Sequence, residues 1–243
     1  MYKRLILLFI FDLLISLHLC YKIPMSFVIK KKLLQPNYRY QRIVATPTGI
    51  RMISNNRHTQ DHIKGVTQNW VSKWVVSQGL CPWASGVNKD NKLRIEVLQC
   101  VPTSSKLQPL LRSETALMLD PTCKTESTLL VIPSLTDFDE FLDFAEAVDN
   151  ILLQTGENSH IQTATFHPNY CFADAKSTDI SNYTNRSPYP IVHLLRVDDV
   201  TEAIKRVDGK TDFVWQNNIK RLNNMGLEKI IALQKDISQI DLK

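Results

Sequence analysis

The fold is decided by the stretch TLLVIPSLTDFDEFLDFAEAVDNILLQTG, which occupies residues 128–156. Its first five residues form an uninterrupted apolar run closed by Pro133, the pattern of a central strand that is buried on both faces. Thr136 and Asp139 match the capping box that starts a helix, and the apolar residues after them keep helical spacing until Gly156. A buried strand followed by an amphipathic helix is the repeating unit of α/β proteins.

The same alternation continues on both sides of this stretch. Periodicity predicts further strands at 93–99, 161–166 and 191–195, and further helices at 67–80, 107–119, 198–207 and 213–224. We therefore predict an α/β fold: a single domain with a largely parallel or mixed sheet of about four strands, flanked by helices.

The amino-terminal part differs in composition from this domain. Residues 1–20 contain a basic start and an apolar run that resembles a signal peptide and is shorter than the roughly 20 residues of a membrane span. Residues 21–66 are basic and nearly free of acidic residues, as transit peptides are. We predict two leader segments with these bounds, followed by one globular domain at 67–243.

A signal peptide followed by a transit peptide resembles the bipartite leader of proteins sent to complex plastids, so we predict a plastid location. Secretion and an uncleaved signal anchor are the alternatives. A third is that translation begins at Met25 or Met52.

The charge is unevenly distributed along the chain. Of the 29 Lys and Arg residues, 11 precede Thr67, as do 2 of the 24 Asp and Glu residues; the remainder therefore carries 18 basic and 22 acidic residues. A domain of net charge −4 is not expected to present a basic nucleic-acid surface. We also expect no membrane association of the mature domain. The chain has only 7 Gly and lacks both GxGxxG and GxxxxGK[ST], which argues against a nucleotide-binding loop.

Three segments combine polar and aromatic residues: GLCPWASG at 79–86, FHPNYCFAD at 166–174 and NYTNRSPYPIVHLLR at 182–196. Ligands of open α/β sheets bind beyond the carboxyl ends of strands, and the second segment lies at such an end. The connection at 169–190 is also longer than an ordinary loop, and long ordered loops are disproportionately functional. We predict one site built from all three segments.

The candidate catalytic residues are His167, His193 and Cys81. Either histidine would act as a general acid or base, and the thiol as a nucleophile. The structural alternatives are a strand histidine bonded to its neighbour and a buried thiol. Four cysteines in the domain without a CxxC pair indicate free thiols.

The candidate ligand-binding residues are Arg186, Arg196, Asn185, Ser187 and Tyr189. A guanidinium group recognises a carboxylate or phosphate through two parallel hydrogen bonds, so we predict a small anionic ligand. The alternative is that the arginines form salt bridges and that the asparagine and serine cap a turn.

Two other functions fit the same segments. A zinc protein would use Cys81, His167 and His193 with a water as the fourth ligand, although their spacing matches no compact metal motif. A non-catalytic plastid assembly or regulatory factor would use the long loop as a docking surface. The sequence does not identify a cofactor, a reaction or an oligomeric state, and whether the protein is an enzyme is left open.

The three segments, together with TLLVIP and LTDFDEFLDFAEAV, resemble the family called domain of unknown function 1415 over about residues 67–226. The resemblance implies a site at these segments but no substrate, and the family's presence in bacteria and plastid-bearing eukaryotes agrees with the predicted leader. The chain departs from the family pattern at Cys171, and at Val197, where an acidic residue commonly follows HLLR.

Asn182 and Asn185 each begin an N-glycosylation sequon. Both lie inside the third segment, and Pro188 follows the second sequon directly. We interpret both matches as accidental.

Overall fold

The structure, a computed structural model, describes residues 57–206 and 211–239. The helices are α1 (Arg57–Asn69), α2 (Ala84–Lys89), α3 (Ser104–Leu119), α4 (Phe138–Thr155), α5 (Val197–Lys205), α6 (Thr211–Met225) and α7 (Leu227–Ser238). The strands are β1 (Leu93–Val97), β2 (Ser127–Val131), β3 (Ile161–Phe166) and β4 (Ile191–Arg196). A π-helical segment, Trp70–Val76, continues α1, and short 3₁₀ helices cover Glu157–Ser159 and Ile180–Thr184. The predicted signal-peptide segment and most of the transit-peptide segment lie outside the described residues.

The four strands form one mixed sheet in the order β1-β2-β4-β3. β1 and β2 are parallel, whereas β4 is antiparallel to both β2 and β3. β4 is antiparallel to β3 because the chain leaves β3 at Phe166 and enters β4 at Ile191, the direct partner of Phe166. Residues 167–190 therefore stay at one end of the sheet. The predicted α/β class and the mixed four-stranded sheet are confirmed.

The sheet has a different set of helices on each face. Face A packs against α3 and α4, and its core includes Leu130, Val192, Leu111 and Phe141. Face B packs against the π-helical segment, α6 and α7, and its core includes Leu129, Ile191, Trp74, Leu222 and Ile230. Alternate residues of a strand point to opposite faces, so β2 and β4 each supply both cores.

The start of α4 differs by one residue from the prediction. The Asp137 carboxylate, not Thr136, accepts the backbone N–H groups of Asp139 at 2.9 Å and Glu140 at 3.0 Å. Asp137 has the extended backbone of a capping residue, and Thr136 lies one position too early to reach these donors. The predicted end of the helix is confirmed, because Gly156 takes the left-handed conformation with φ of 76°.

The described fold extends beyond the predicted helices at both ends. α1 begins at Arg57, ten residues before the predicted domain start, and it buries Ile63 and Val66. α7 follows Gly226, where the last helix was predicted to end, and buries Ile230 and Ile237. None of the helices in the described ranges is long and apolar enough to cross a bilayer.

Candidate functional site

His193 lies in the middle of β4 on face B. Its direct neighbours are Leu129 on β2 and Ala164 on β3. The ring centroid of Phe166, also on β3, is 6.3 Å away. Alternation along β4 puts His193 on the same face as Ile191, which packs in the core of face B.

The imidazole of His193 has a side-chain partner that sequence reasoning missed. Ser127 begins β2, and its hydroxyl forms a hydrogen bond with Nε2 of His193. The same hydroxyl lies 3.4 Å from the carbonyl oxygen of Leu194. Alternation in β2 could have placed Ser127 on the face of Leu129, but its contact with His193 depends on the β2–β4 register, which no local pattern encodes.

His193 and Cys81 are strongly desolvated and yet partly exposed. Burial lowers the pKa of His193 to about 4. Burial also raises the pKa of the Cys81 thiol, although the backbone amides of Trp83 and Ala84 oppose this. Both residues are nevertheless only partly buried. We call the partly exposed patch around His193 on face B the recess; its other members are Gln162, Ala164, Phe166 and Leu195.

Cys81 belongs to the same side of the sheet as His193. Leu80 packs in the core of face B, and Trp83 packs in a small cluster with Leu195. Cys81 lies between these two contacts along the chain. The structure therefore brings the first and third predicted segments to one face.

Helix α6 holds the segment that carries Cys81. Asn218 donates its side-chain N–H to the carbonyl of Leu80 at 2.7 Å, and Arg221 donates to the carbonyl of Gly79 at 2.6 Å. Gly79 has φ of 61°, and a Cβ there would lie 3.0 Å from the Arg221 guanidinium. The close approach and the positive φ both favour glycine at this position.

His167 lies on the other side of the sheet. Its Nδ1 accepts the backbone N–H of Asn169 at 3.0 Å, so its proton is on Nε2, which donates to the carbonyl of Leu135 at 3.2 Å. The ring is fully buried near Phe138 and Phe141 of α4, and this burial lowers its pKa. His167 therefore matches the structural alternative, a histidine bonded to its neighbours. It does not form a site with His193.

The predicted zinc triad of Cys81, His167 and His193 is not assembled. The two imidazoles are on opposite sides of the sheet, and both nitrogens of His167 are bonded to the backbone. Across residues 57–206 and 211–239, no group of three or more His, Cys, Asp and Glu side chains could hold a metal ion.

Arg186 is engaged within the loop at 167–190. Its guanidinium donates to the carbonyls of Tyr170 at 3.3 Å and Ser177 at 2.8 Å, and it lies 4.3 Å from the ring centroid of Tyr183. These contacts connect three turns of the loop. The side chain thus stabilises the loop conformation.

Arg196 lies at the opposite end of the sheet. β4 begins directly after the loop that contains Arg186, and its last residue, Arg196, pairs with Ile161 at the start of β3. Arg196 forms ion pairs with Asp199 at 2.6 Å and Glu126 at 3.5 Å. It also donates to the carbonyl of Met118 at 3.3 Å. The two arginines therefore do not converge on one ligand site.

The other three ligand-binding candidates also bond within the loop region. Asn185 donates to the carbonyl of Thr165 at 3.2 Å, and Ser187 donates to the carbonyl of Tyr189 at 2.5 Å. Tyr189 packs in the core of face B, and burial raises its pKa. Most polar residues of the third segment thus satisfy the backbone of a long loop, as buried polar groups must.

The two sequon asparagines have little exposed surface. Asn182 is 0% exposed and Asn185 is 2% exposed. The Asn182 amide donates to the carbonyl of Lys176 at 2.8 Å and accepts the N–H of Phe172 at 3.0 Å. Neither side chain is free to carry a glycan in the folded domain.

A cleft of about 220 Å³ lies at the sheet end where β3 stops and β4 begins. Its walls are Trp70, Pro168, Ser187, Pro188, Gln234, Ile237 and Ser238. Two of the three predicted segments contribute to it, and no wall residue is charged. The cleft lies beyond the carboxyl end of β3, where open α/β sheets bind ligands.

These features define a single α/β domain with a mixed four-stranded sheet, a structured loop at one end and a partly exposed histidine on face B. The chain belongs to the family described as Protein of unknown function (DUF1415), whose model matches residues 62–232. This match confirms the resemblance, and it begins inside α1. No curated protein and no solved structure matches the chain.

Proposed function

We propose that the domain binds a small ligand in the recess of face B, where His193 accepts a hydrogen bond or a proton from it. The observation that carries this proposal is the imidazole of His193, which is bonded to Ser127, strongly desolvated and still partly exposed. Perturbed titratable groups in concave, mostly apolar surroundings are typical of functional sites.

The surroundings of His193 combine apolar walls with a few polar groups. Ala164 stands directly beside His193 on β3, and its small side chain leaves space next to the ring. Phe166 and Leu195 are partly exposed apolar neighbours on the same face. Gln162 lies on this face too, and its Nε2 is buried without a hydrogen-bond partner among the described residues.

The charges favour an uncharged ligand in this recess. At neutral pH, the lowered pKa keeps His193 neutral. None of the side chains named for the recess is a cation. The anionic ligand predicted from Arg186 and Arg196 stays a prediction, and binding it would require these guanidinium groups to leave their present partners.

The same arrangement defines the chemistry that an enzyme could perform here. A neutral imidazole in a recess is a general base. A pKa of about 4 makes it a weak one, because the strength of a base falls with its pKa. We therefore propose that His193 acts on a ligand with an acidic or polarised proton, if the bound ligand reacts.

The cleft at the carboxyl end of β3 is the second candidate site. Two of the predicted segments and Trp70 form its walls, and these are uncharged. It would suit a neutral small molecule, or an apolar side chain of a partner if the protein is the plastid assembly factor considered above. This candidate rests on shape, whereas the recess rests on the chemistry of His193.

A thermal-shift screen separates the two sites. We would screen uncharged and anionic metabolites against the full chain, His193→Gln and the cleft-filling Gln234→Trp. A ligand present at about 100 times its Kd adds roughly 2.7 kcal/mol to the stability of the folded state. We expect hits that stabilise the wild type and Gln234→Trp but not His193→Gln. Hits lost only in Gln234→Trp would move the function to the cleft, and the absence of any hit dependent on His193 would sink the proposal.

A further inference from the structure

The hydroxyl of Ser127 has one proton to donate and two polar neighbours. Ser127 is 4% exposed, so solvent contributes little to its hydrogen bonding. Its neighbours are Nε2 of His193 and, at 3.4 Å, the carbonyl oxygen of Leu194. A hydroxyl has one donor and two acceptor positions. Only one arrangement uses both neighbours: Ser127 donates to the carbonyl and accepts the proton of Nε2–H.

The second ring nitrogen of His193 is open to a ligand. In the described part of the chain, Nδ1 has no hydrogen-bond partner, and it is not among the buried polar atoms without one, which are Thr115 Oγ1 and Gln162 Nε2. Nδ1 is therefore accessible. Solvent can bond this nitrogen in either tautomer, so the contacts of Ser127 decide where the proton lies.

We infer that Ser127 holds His193 as the tautomer with its proton on Nε2, so that Nδ1 meets the recess as a hydrogen-bond acceptor and the site takes a neutral ligand that donates an N–H or O–H. The choice of ligand class rests on the proposed function. Ser127 is then a positioning residue: it acts through His193, because a hydrogen bond at one ring nitrogen fixes which nitrogen carries the proton.

The tautomer is measured directly by ¹⁵N NMR of the histidine rings in the full chain, with His193→Gln used to assign the signals. We expect His193 to show a protonated Nε2 and a bare Nδ1 without any ligand. Ser127→Ala should lose this preference and shift both nitrogen signals, whereas Ser127→Thr, which keeps the hydroxyl, should retain it. His167 is an internal control, because its own backbone partners fix its tautomer in every variant.

Acetamide and acetone then test the ligand class, since they have nearly the same size and differ in the donor. We expect acetamide to shift the Nδ1 signal and acetone to leave it unchanged.

A wild-type proton on Nδ1, or a tautomer that does not change in Ser127→Ala, would overturn the role of Ser127. If Ser127→Ala does not fold, the wild type and Ser127→Thr decide. Equal responses to the two probes, or none, would overturn the ligand class. Because the tautomer is measured without ligand, a failed metabolite screen defeats the proposed function and leaves this assignment standing.

Discussion

The indole N–H of Trp70 donates to the backbone carbonyl of Arg186 at 3.0 Å, across 116 positions of the sequence. Trp74, one helical turn later, donates to the carbonyl of Tyr183 at 3.2 Å. The π-helical segment thus donates two hydrogen bonds to the backbone of the loop. The Arg186 side chain bonds the turns of the loop to one another. The loop at 167–190 is ordered by side-chain bonds to its backbone.

Arg186→Lys is expected to destabilise the domain. Lysine keeps the charge but cannot reach the carbonyls of Tyr170 and Ser177 with a planar fork while stacking on Tyr183. The loss should be about 1–2 kcal/mol, which lowers the melting temperature by roughly 2–8 °C in a domain of this size. Differential scanning fluorimetry would measure it.

Arg112→Lys is the matched control for this change. Its side chain is 70% exposed, and its contact with Glu157 is 3.9 Å long, so we expect no measurable shift. An unchanged melting temperature of Arg186→Lys, together with weaker binding of an anion, would return Arg186 to the ligand role predicted from the sequence.

His193 should make the folded state less stable at acid pH. Its folded pKa of about 4 is below the ordinary value of 6.5, so the unfolded chain binds the proton more readily. The contribution of neutral His193 to the free energy of unfolding is therefore fully present above pH 6.5 and is lost as the pH falls toward 4. The loss should be about 1–3 kcal/mol after allowance for the partial exposure of His193. Urea unfolding at pH 4.5 and pH 7 should show a smaller difference for His193→Gln than for the wild type.

Asp149 provides a control of opposite sign in the same pH range. Burial raises its pKa to about 6, although the hydrogen bond from Thr163 at 2.6 Å opposes the shift. Its contribution is therefore present below pH 4 and lost as the pH rises through 6. Asp149→Asn should stabilise the domain at pH 7 and have little effect at pH 4. A stability profile unaffected by either variant would contradict the environments described for both groups.

The start of α1 is expected to be required for full stability. Ile63 is 8% exposed and Val66 is 1% exposed, and burying side chains of this size contributes about 1.5–3 kcal/mol each. A chain that begins at Arg57 should unfold like the full-length protein, and one that begins at Thr67, the boundary predicted from charge, should lose several kcal/mol. Urea unfolding would compare them. Equal stability of the two shortened chains would show that this part of α1 contributes nothing to the core.

We propose that residues 1–66 direct the protein to a complex plastid. A fluorescent fusion of residues 1–66 should enter the plastid of an alga of this type, and a fusion of residues 21–66 should not. The apolar segment at 1–20 has to engage the secretory route before the basic segment is read. Secretion of the longer fusion, or its retention as a membrane anchor, would contradict the proposal.

The sequence by itself determined the local elements of this protein. The run that ends at Pro133 predicts β2, the helical spacing up to Gly156 predicts α4, and residues 161–166 are the strand β3 as predicted. Each depends on signals within a few residues, because periodicity and helix caps are local properties. The family resemblance likewise rests on contiguous segments.

Only the tertiary structure decided which of the candidate residues meet. Ser127 and His193 are 66 positions apart, and their contact exists because β4 inserts antiparallel between β2 and β3 in one register. The same topology sends Arg196 to the far end of the sheet, and the turn after β3 turns His167 toward α4. A shift of one residue in register would move His193 to the other face, and strand order and register are set by packing between distant parts of the chain, which a local pattern does not contain.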